Sequence, residues 1–263
     1  MTSATTRPSP GFGRKLRAWR QRAGLSQLEL AARASTTARH VSFVETGRSR
    51  PGRDLVLRLC EALDLPLAQR NAMLESAGLP AAFTAHAIDE LAMAPIRRVL
   101  QRVLDSHEPY PAWIYGGGLR PLSANHAGES LLPGLCAMTP EAIVDLWCAP
   151  GPLRLLVDNW AEAMWAAIDS LRREVARTND AHIAALLRRA ERHARGVPRP
   201  AAVDPELPVA CPRFRVGGRL VRTIAAVLRF DTAVDVTASE LRVELMFPAD
   251  DESDAFFRRR SAS

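Results

Sequence analysis

The stretch from Leu25 to Pro51, "LSQLELAARASTTARHVSFVETGRSRP", holds two short helical patterns with a polar break between them, and its reading decides the fold of the first third of the chain. Ser26 is an N-cap for a helix over Gln27–Arg33, with Leu28, Ala31 and Ala32 facing inward. "STT", Ser35 to Thr37, interrupts the pattern. Thr37 then caps a helix over Ala38–Glu45, with Val41 and Val44 inward, and Gly47 ends it. Working outward, Gly13–Arg22 sets Leu16 and Trp19 on one side, next to Phe12, and Gly24 stops that helix. Downstream, Asp54–Leu63 repeats Leu55, Leu59 and Leu63, and Leu67–Ala77 is closed by Gly78. The loops are short, so five helices over residues 12–78 must pack as one all-α unit.

The charge of the chain is concentrated in the same region. Residues 1–80 carry 13 Lys and Arg against 6 Asp and Glu, whereas residues 81–263 carry 22 against 23. A basic unit joined to a near-neutral one implies a polyanion-binding module attached to something else. No apolar run approaches the roughly 18 residues that a membrane span needs. The first residues, "MTSATTRPSPGF", lack the apolar stretch of a signal peptide, and residues 1–11 are expected to be a disordered tail. Cys60, Cys136, Cys148 and Cys211 are scattered without CxxC or paired-histidine spacing. They point to reduced thiols in a cytoplasmic protein, and to no metal site.

Beyond residue 78 the pattern changes. Residues 79–95, "LPAAFTAHAIDELAMAP", are Pro-bounded and Ala-rich, and read as a linker. A helix follows over Ile96–Ser106, then two strands, Ala112–Tyr115 and Leu119–Ser123, around Gly116–Gly118. Helical patterns cover Asn125–Leu132, Pro140–Trp147, a long stretch from Leu153 to about Val175, and Asn179–Arg195. A Pro-rich loop spans Gly196–Pro208. Strands Phe214–Val216 and Arg219–Val227 flank a Gly217-Gly218 hairpin turn, and Leu241–Phe247 alternates with Leu241, Val243, Leu245 and Phe247 on one face. "TASE", Thr237 to Glu240, has capping-box spacing and makes a single turn before that strand. The second domain is thus β-β, several helices, then β-β-β over residues 96–250, with 251–263 expected as a flexible tail.

On these residues, the first unit resembles the helix-turn-helix of the lambda-repressor-like, or xenobiotic-response-element (XRE), regulators. The matching positions are Leu25, Ser26, Gln27, Leu30, Ala31, Thr37, Glu45, Gly47 and Pro51. The resemblance implies double-stranded DNA as partner, with the helix after Thr37 in the major groove. Its outward residues Ala38, Arg39, His40, Ser42 and Phe43 are the candidate base readers. Arg39 has the geometry for a bidentate contact to guanine, and Phe43 or Ala38 for a thymine methyl. Gln27 at a helix N-terminus is placed for a phosphate, and Arg14, Arg17, Arg48 and Arg50 for backbone neutralisation. Glu45, a lone acid in a basic motif, reads instead as an internal hydrogen-bond partner. One such module reads few base pairs, so a homodimer on a two-fold site is expected.

The second domain resembles the ligand-binding domain of MmyB-like regulators, a PAS-like fold, in four stretches. These are Ala94–Ile114, "ANHAGESLL" from Ala124 to Leu132, "VDNW" from Val157 to Trp160, and "DVTASELRVELMFPADDES" from Asp235 to Ser253. Three consecutive glycines, Gly116 to Gly118, depart from the polar, aromatic turn usual in such domains. The resemblance implies an antiparallel sheet closed by several helices around a cavity, and a fatty-acid-like ligand. Candidate cavity residues are Trp113, Tyr115, Trp147, Leu153, Trp160, Met164 and Trp165, with Asn125 and Asn159 for a head group. Core packing accounts for the aromatics as well, and helix capping for Asn125. The alternative function is a domain that only dimerises or docks a protein partner. No GxSxG, HExxH or phosphate loop is present, so the chain is read as a non-enzyme without a cofactor.

Overall fold

The computed structural model describes residues 10–200 and 211–261. Residues 1–9 of the expected N-terminal tail, 201–208 of the Pro-rich loop and 262–263 of the expected C-terminal tail lie outside them. The chain forms two compact units, one built on the first 85 residues and the other on most of the remainder.

The first unit has five helices: α1 (Pro10–Arg22), α2 (Gln27–Arg33), α3 (Ala38–Glu45), α4 (Arg53–Ala62) and α5 (Leu67–Ser76). Phe12, Leu16, Trp19, Leu30, Val41, Val44, Leu59 and Leu74 fill its core. The expected inward face of α2 is shifted. Leu30, Ala31 and the following Ala34 are buried, while Ala32 is exposed and Leu28 keeps 70% of its surface. A helix of only seven residues has too few turns for periodicity to choose between neighbouring stripes. Gly13 marks a close approach in the bundle. A Cβ there would sit 2.4 Å from the Glu45 carbonyl oxygen, so α1 and α3 touch backbone to backbone.

The second unit continues with α6 (Ala94–Ser106), β1 (Ala112–Tyr115), β2 (Pro121–Ala124), α7 (His126–Leu131), α8 (Pro140–Cys148), α9 (Pro152–Leu156), α10 (Trp160–Thr178), α11 (Ala181–His193), β3 (Arg213–Val216), β4 (Arg219–Arg229), α12 (Val236–Glu240), β5 (Arg242–Pro248) and α13 (Asp251–Ser261). The strands make one antiparallel sheet in the order β2-β1-β5-β4-β3. Gly217 and Gly218, both at positive φ, form the β3–β4 turn, as the two-residue spacing requires. α6 covers one face of the sheet through Leu100 and Leu104 against Ile114, Leu241 and Val243. The helices α7 to α11 cover the other, around Trp113, Met164, Ile168, Leu186 and Phe214.

Two expectations fail here. The long helix from Leu153 is broken in the middle. Val157 leaves the helix to bridge Phe214, the Asp158 N–H donates to the Arg213 carbonyl at 2.8 Å, and Asn159 Oδ1 accepts from the Arg213 N–H at 2.8 Å. Pairing with the start of β3 replaces the helical bonds that the local pattern favours. The expected flexible tail is also wrong over residues 251–261, which form α13. Asp250 accepts from the Ser253 N–H at 2.8 Å, acids occupy the first turn and arginines the last, and Phe257 enters the main core. Its face carries only two aromatic residues among charges, too weak an apolar period to stand out from solvated sequence.

Candidate functional site

In the helix bundle, the caps that the sequence indicates are formed. Ser26 Oγ accepts from the Glu29 N–H at 3.1 Å, and Glu29 Oε2 accepts from the Ser26 N–H at 2.7 Å, a reciprocal capping box. These bonds hold the Glu29 carboxyl below its ordinary range. Thr37 Oγ1 accepts from the His40 N–H at 3.1 Å and starts α3. Glu45 is enclosed and fully engaged. Arg20 grips it in a fork, with Nε at 2.6 Å and Nη2 at 3.0 Å, and Gln27 Nε2 donates to it at 2.8 Å. Arg20 Nη1 also donates to the Leu25 carbonyl at 2.8 Å. One carboxylate thereby joins α1, α2 and α3, and fixes the angle between the two helices of the motif.

Gln27 is therefore committed internally by its amide, and not free to reach a phosphate with both N–H groups. The backbone N–H groups at the start of α2 keep that role open. Arg39 is exposed in the first turn of α3, and its guanidinium lies 5.2 Å from the Phe43 ring centroid. Arg48 stacks on the same ring at 6.0 Å. Stacking uses the flat face of a guanidinium and leaves its edge donors for other partners. Phe43 thus holds two arginines side by side on one surface. His40 Nδ1 pairs with Thr36 Oγ1 at 3.2 Å, which orients its ring. Ser42 is half-buried, and Ala38 packs partly on the core. Arg17 is exposed on α1. Arg50 donates to the Ala77 carbonyl at 3.4 Å, at the end of α5. A cation there satisfies a free helix carbonyl, so Arg50 is partly structural.

In the second unit a cavity of 610 Å³ lies between the sheet and the helices α8, α10 and α11. Its wall is mainly apolar, from Ile143, Val144, Trp147, Ala163, Trp165, Leu171 and Leu186. The sheet side is formed by alternate residues of β1, β5 and β4. Trp113 lies opposite Glu244 and Tyr115 opposite Arg242, while Met246 pairs with Ala225. All six line the cavity.

Of the nine expected ligand residues, Trp113, Tyr115, Trp147 and Trp165 are brought together here. The other five are used by the fold. Asn125 caps α7, accepting from the Ala112 and Gly128 N–H groups at 2.9 Å each, and donates to the Tyr110 carbonyl at 2.8 Å. Asn159 bonds the Arg213 N–H and the Cys211 carbonyl, and so splices α10 to β3. Trp160 Nε1 donates to the Trp147 carbonyl at 2.8 Å, with the Arg154 guanidinium 4.6 Å above its ring. Leu153 and Met164 are packed in the core.

Reading from sequence missed Arg242 and Glu244, whose setting follows from the sheet order. β5 is the central strand, covered on both faces, so charged residues at 242 and 244 have no solvent to face. Glu244 is surrounded by protein, and burial raises its carboxyl above the usual carboxylate range against the pull of Arg242. It still keeps accessible surface, which only the cavity can supply. Burial likewise pushes the Tyr115 phenol up, and the thiols of Cys60 and Cys148 up to about 12, so these thiols are unreactive. All four cysteines are unpaired by disulfides. Among the described residues no group of His, Cys, Asp or Glu could hold a metal ion, and no helix is long and apolar enough to cross a membrane.

The two units correspond to two separate family matches. Residues 12–73 match a helix-turn-helix domain, and residues 96–259 match the MmyB-like transcription regulator ligand binding domain. No curated protein matches the chain. The second match takes in the sheet, all the helices around the cavity and most of α13, and it covers more than half of the chain. With the DNA-binding motif in front of it, it shows that the chain belongs to the MmyB-like transcription regulators, a helix-turn-helix DNA-binding unit joined to a ligand-binding domain.

Proposed function

We propose that this regulator works in the cytoplasm as a homodimer. It reads a two-fold DNA site through α3 and responds to a small, apolar, fatty-acid-like ligand. The observation that carries the ligand reading is the 610 Å³ cavity, closed on one side by a sheet and walled mainly by apolar side chains. A ligand with different affinity for the DNA-competent form and for the alternatives shifts DNA affinity by the same factor, typically about 5- to 150-fold.

On the DNA side, Arg39 and His40 are the proposed base readers. Thr37, Ala38, Ser42 and Phe43 shape the reading surface, and Gln27, Arg17, Arg48 and Arg50 serve the backbone. The Arg39–Phe43–Arg48 stack supports this division, since one ring sets both guanidiniums. Arg48→Ala should weaken binding to all sequences alike and lower the log–log salt slope by about one. A changed base preference with an unchanged slope would overturn the assignment.

Two copies with half-sites about 34 Å apart would give the selectivity that one motif lacks. Leu91, 88% exposed, and Val99, 45% exposed, place apolar surface in residues 79–106, the proposed dimer region. Sedimentation of the free and DNA-bound protein tests it, and a monomer in both would refute it. A second reading, in which the second unit only dimerises or docks a protein partner, draws on the exposed Val227 and Leu228 of β4. A thermal shift with a panel of acyl ligands separates the two. Saturating ligand should raise the melting temperature, and no shift across the panel would favour the docking reading.

A further inference from the structure

Arg242 and Glu244 form an unusual pair. They stand two positions apart on one face of the central strand, and both line the cavity. An acid and a base so placed would be expected to close a salt bridge, because each otherwise carries the cost of desolvation alone. They do not. Among the described residues neither side chain makes a hydrogen bond or an ion pair, and Arg242 Nε is sealed from solvent with no acceptor. The Arg242 guanidinium is drawn aside, stacked 4.8 Å from the ring centroid of Tyr115. Glu244 faces the cavity with its carboxyl unpartnered, and burial raises that carboxyl above its ordinary range against the pull of Arg242.

Most of the cavity's other charge is spent. Glu162 accepts from Asn159, Asp169 is held by Arg172 and Arg199, Glu174 pairs with Arg229, and Arg173 is exposed to solvent. The charged groups left over on the sheet wall are thus one carboxyl and one guanidinium, side by side, with no net charge between them when Glu244 is ionised. Trp113 and Trp165 add unpaired indole N–H donors to the same cavity. With Glu244 ionised, an anionic head group beside the pair would leave this wall with a net negative charge, and an ammonium would leave it positive. In a low-dielectric site either is penalised. A neutral head group that donates to Glu244 and accepts from Arg242 satisfies both residues and adds no charge.

We infer that Arg242 and Glu244 form a head-group site that selects an acyl-chain ligand ending in a neutral donor–acceptor group, a primary amide or an alcohol, over the corresponding carboxylate. This rests on the proposal that the cavity holds an acyl chain, and it specifies the chemistry of that chain's polar end. Glu244 supplies the discrimination. As a carboxylate it repels a second carboxylate, and in either protonation state it can accept a hydrogen bond from an amide or hydroxyl.

The test is calorimetric titration of the full-length protein at neutral pH with dodecanamide, dodecanol, dodecanoate and dodecylamine, which share one chain and differ only in head group. Dodecanamide should bind about tenfold or more tightly than dodecanoate and dodecylamine, the scale of one satisfied against one unsatisfied buried polar group. Glu244→Gln keeps the shape and removes the negative charge. It should narrow or invert the preference, because Arg242 then faces a carboxylate with no competing acid. The wild-type ranking is decisive by itself if the variant is poorly folded. Equal or tighter binding of dodecanoate by wild type, or a ranking unchanged in Glu244→Gln, overturns the head-group assignment and leaves the acyl-chain reading standing. Binding of none of the four overturns both.

Discussion

Glu45 in the helix bundle and Glu244 under the sheet are both carboxylates taken out of water, and the chain treats them in opposite ways. Glu45 receives donors from Arg20 and Gln27, and its side chain is only 2% exposed. Glu244 receives none, although Arg242 is two residues away on the same face. The difference follows the use of each unit. A DNA reader must hold α2 and α3 rigid before it meets a groove, so its interior is satisfied from within and its unspent donors are outside. A ligand-binding unit needs unspent groups inside, facing the space that the ligand will occupy. Internal satisfaction yields a rigid presenting surface, and internal deficit yields a receptor.

The largest expected effect is on the satisfied side. Glu45→Ala leaves Arg20, itself almost buried, without its counter-charge, and should cost about 3–5 kcal/mol of stability of the bundle, read as a shift in its urea transition. Glu45→Gln should cost less, because one amide oxygen can still accept from Arg20. A loss below about 1 kcal/mol for the alanine variant would mean that the latch does not hold the bundle together.

Arg39→Ala comes next. It should cost about 1–3 kcal/mol on a selected DNA site and little on random DNA, as read by competition binding. Equal losses on both would make Arg39 a backbone contact.

On the deficient side the sign reverses. Glu244 has its folded carboxyl raised by burial, so the unliganded fold is penalised as pH rises from the unfolded carboxylate range through that raised value. Glu244→Gln should therefore stabilise the empty protein at neutral pH, by something on the order of 1 kcal/mol, with the gain vanishing in acid. A destabilised variant at neutral pH would show that Glu244 is internally paired after all.

The smallest effect belongs to Asp145 on α8. Arg189 holds its carboxyl down to about 2, with desolvation opposing and His193 assisting at 2.8 Å. A lowered acid stabilises above its unfolded value of 3.8 and loses that stabilisation as pH falls toward about 2. The pair is about a third exposed, and Asp145→Asn should cost only about 0.5–1 kcal/mol at neutral pH and nothing at the acid end, as read by melting temperature against pH.

The helix bundle was legible because its signals are local. Ser26 and Thr37 carry their caps in the next three residues, Gly24 and Gly47 end helices where only backbone freedom is needed, and Glu45 stands out as an acid among bases. Leu28 was misplaced because a seven-residue helix does not fix its own rotation, and its neighbours do. The second unit was legible in its strand order and its Gly217-Gly218 turn, but not in its site. Trp160 and Asn159 look like ligand residues in sequence, but Asn159 is spent on Arg213, 54 positions away, and Trp160 on the Trp147 carbonyl. Arg242 and Glu244 were hidden by the stronger apolar alternation of the other face of β5. Recognising them required knowing that β5 is central, which depends on pairings with β1 and β4 far away in the chain.

The histidines of α11 make the same point. His182 and His193 lie among arginines, a setting that suggests solvent; His182 is exposed, with Glu141 of α8 3.6 Å away, but His193 is half-buried and reaches Asp145 on α8. Packing of one helix on another decided their environment, and nothing within α11 reports it.

The most direct test of a ligand-responsive regulator joins the two units in one titration. DNA affinity of the full-length protein on a selected two-fold site is measured by fluorescence anisotropy, with and without saturating dodecanamide, in wild type and in Glu244→Gln. The expected result is a shift in DNA Kd of about 5- to 150-fold in wild type at saturation, reached only at a higher amide concentration in the variant. Saturating occupancy of the cavity with an unchanged DNA Kd would contradict it.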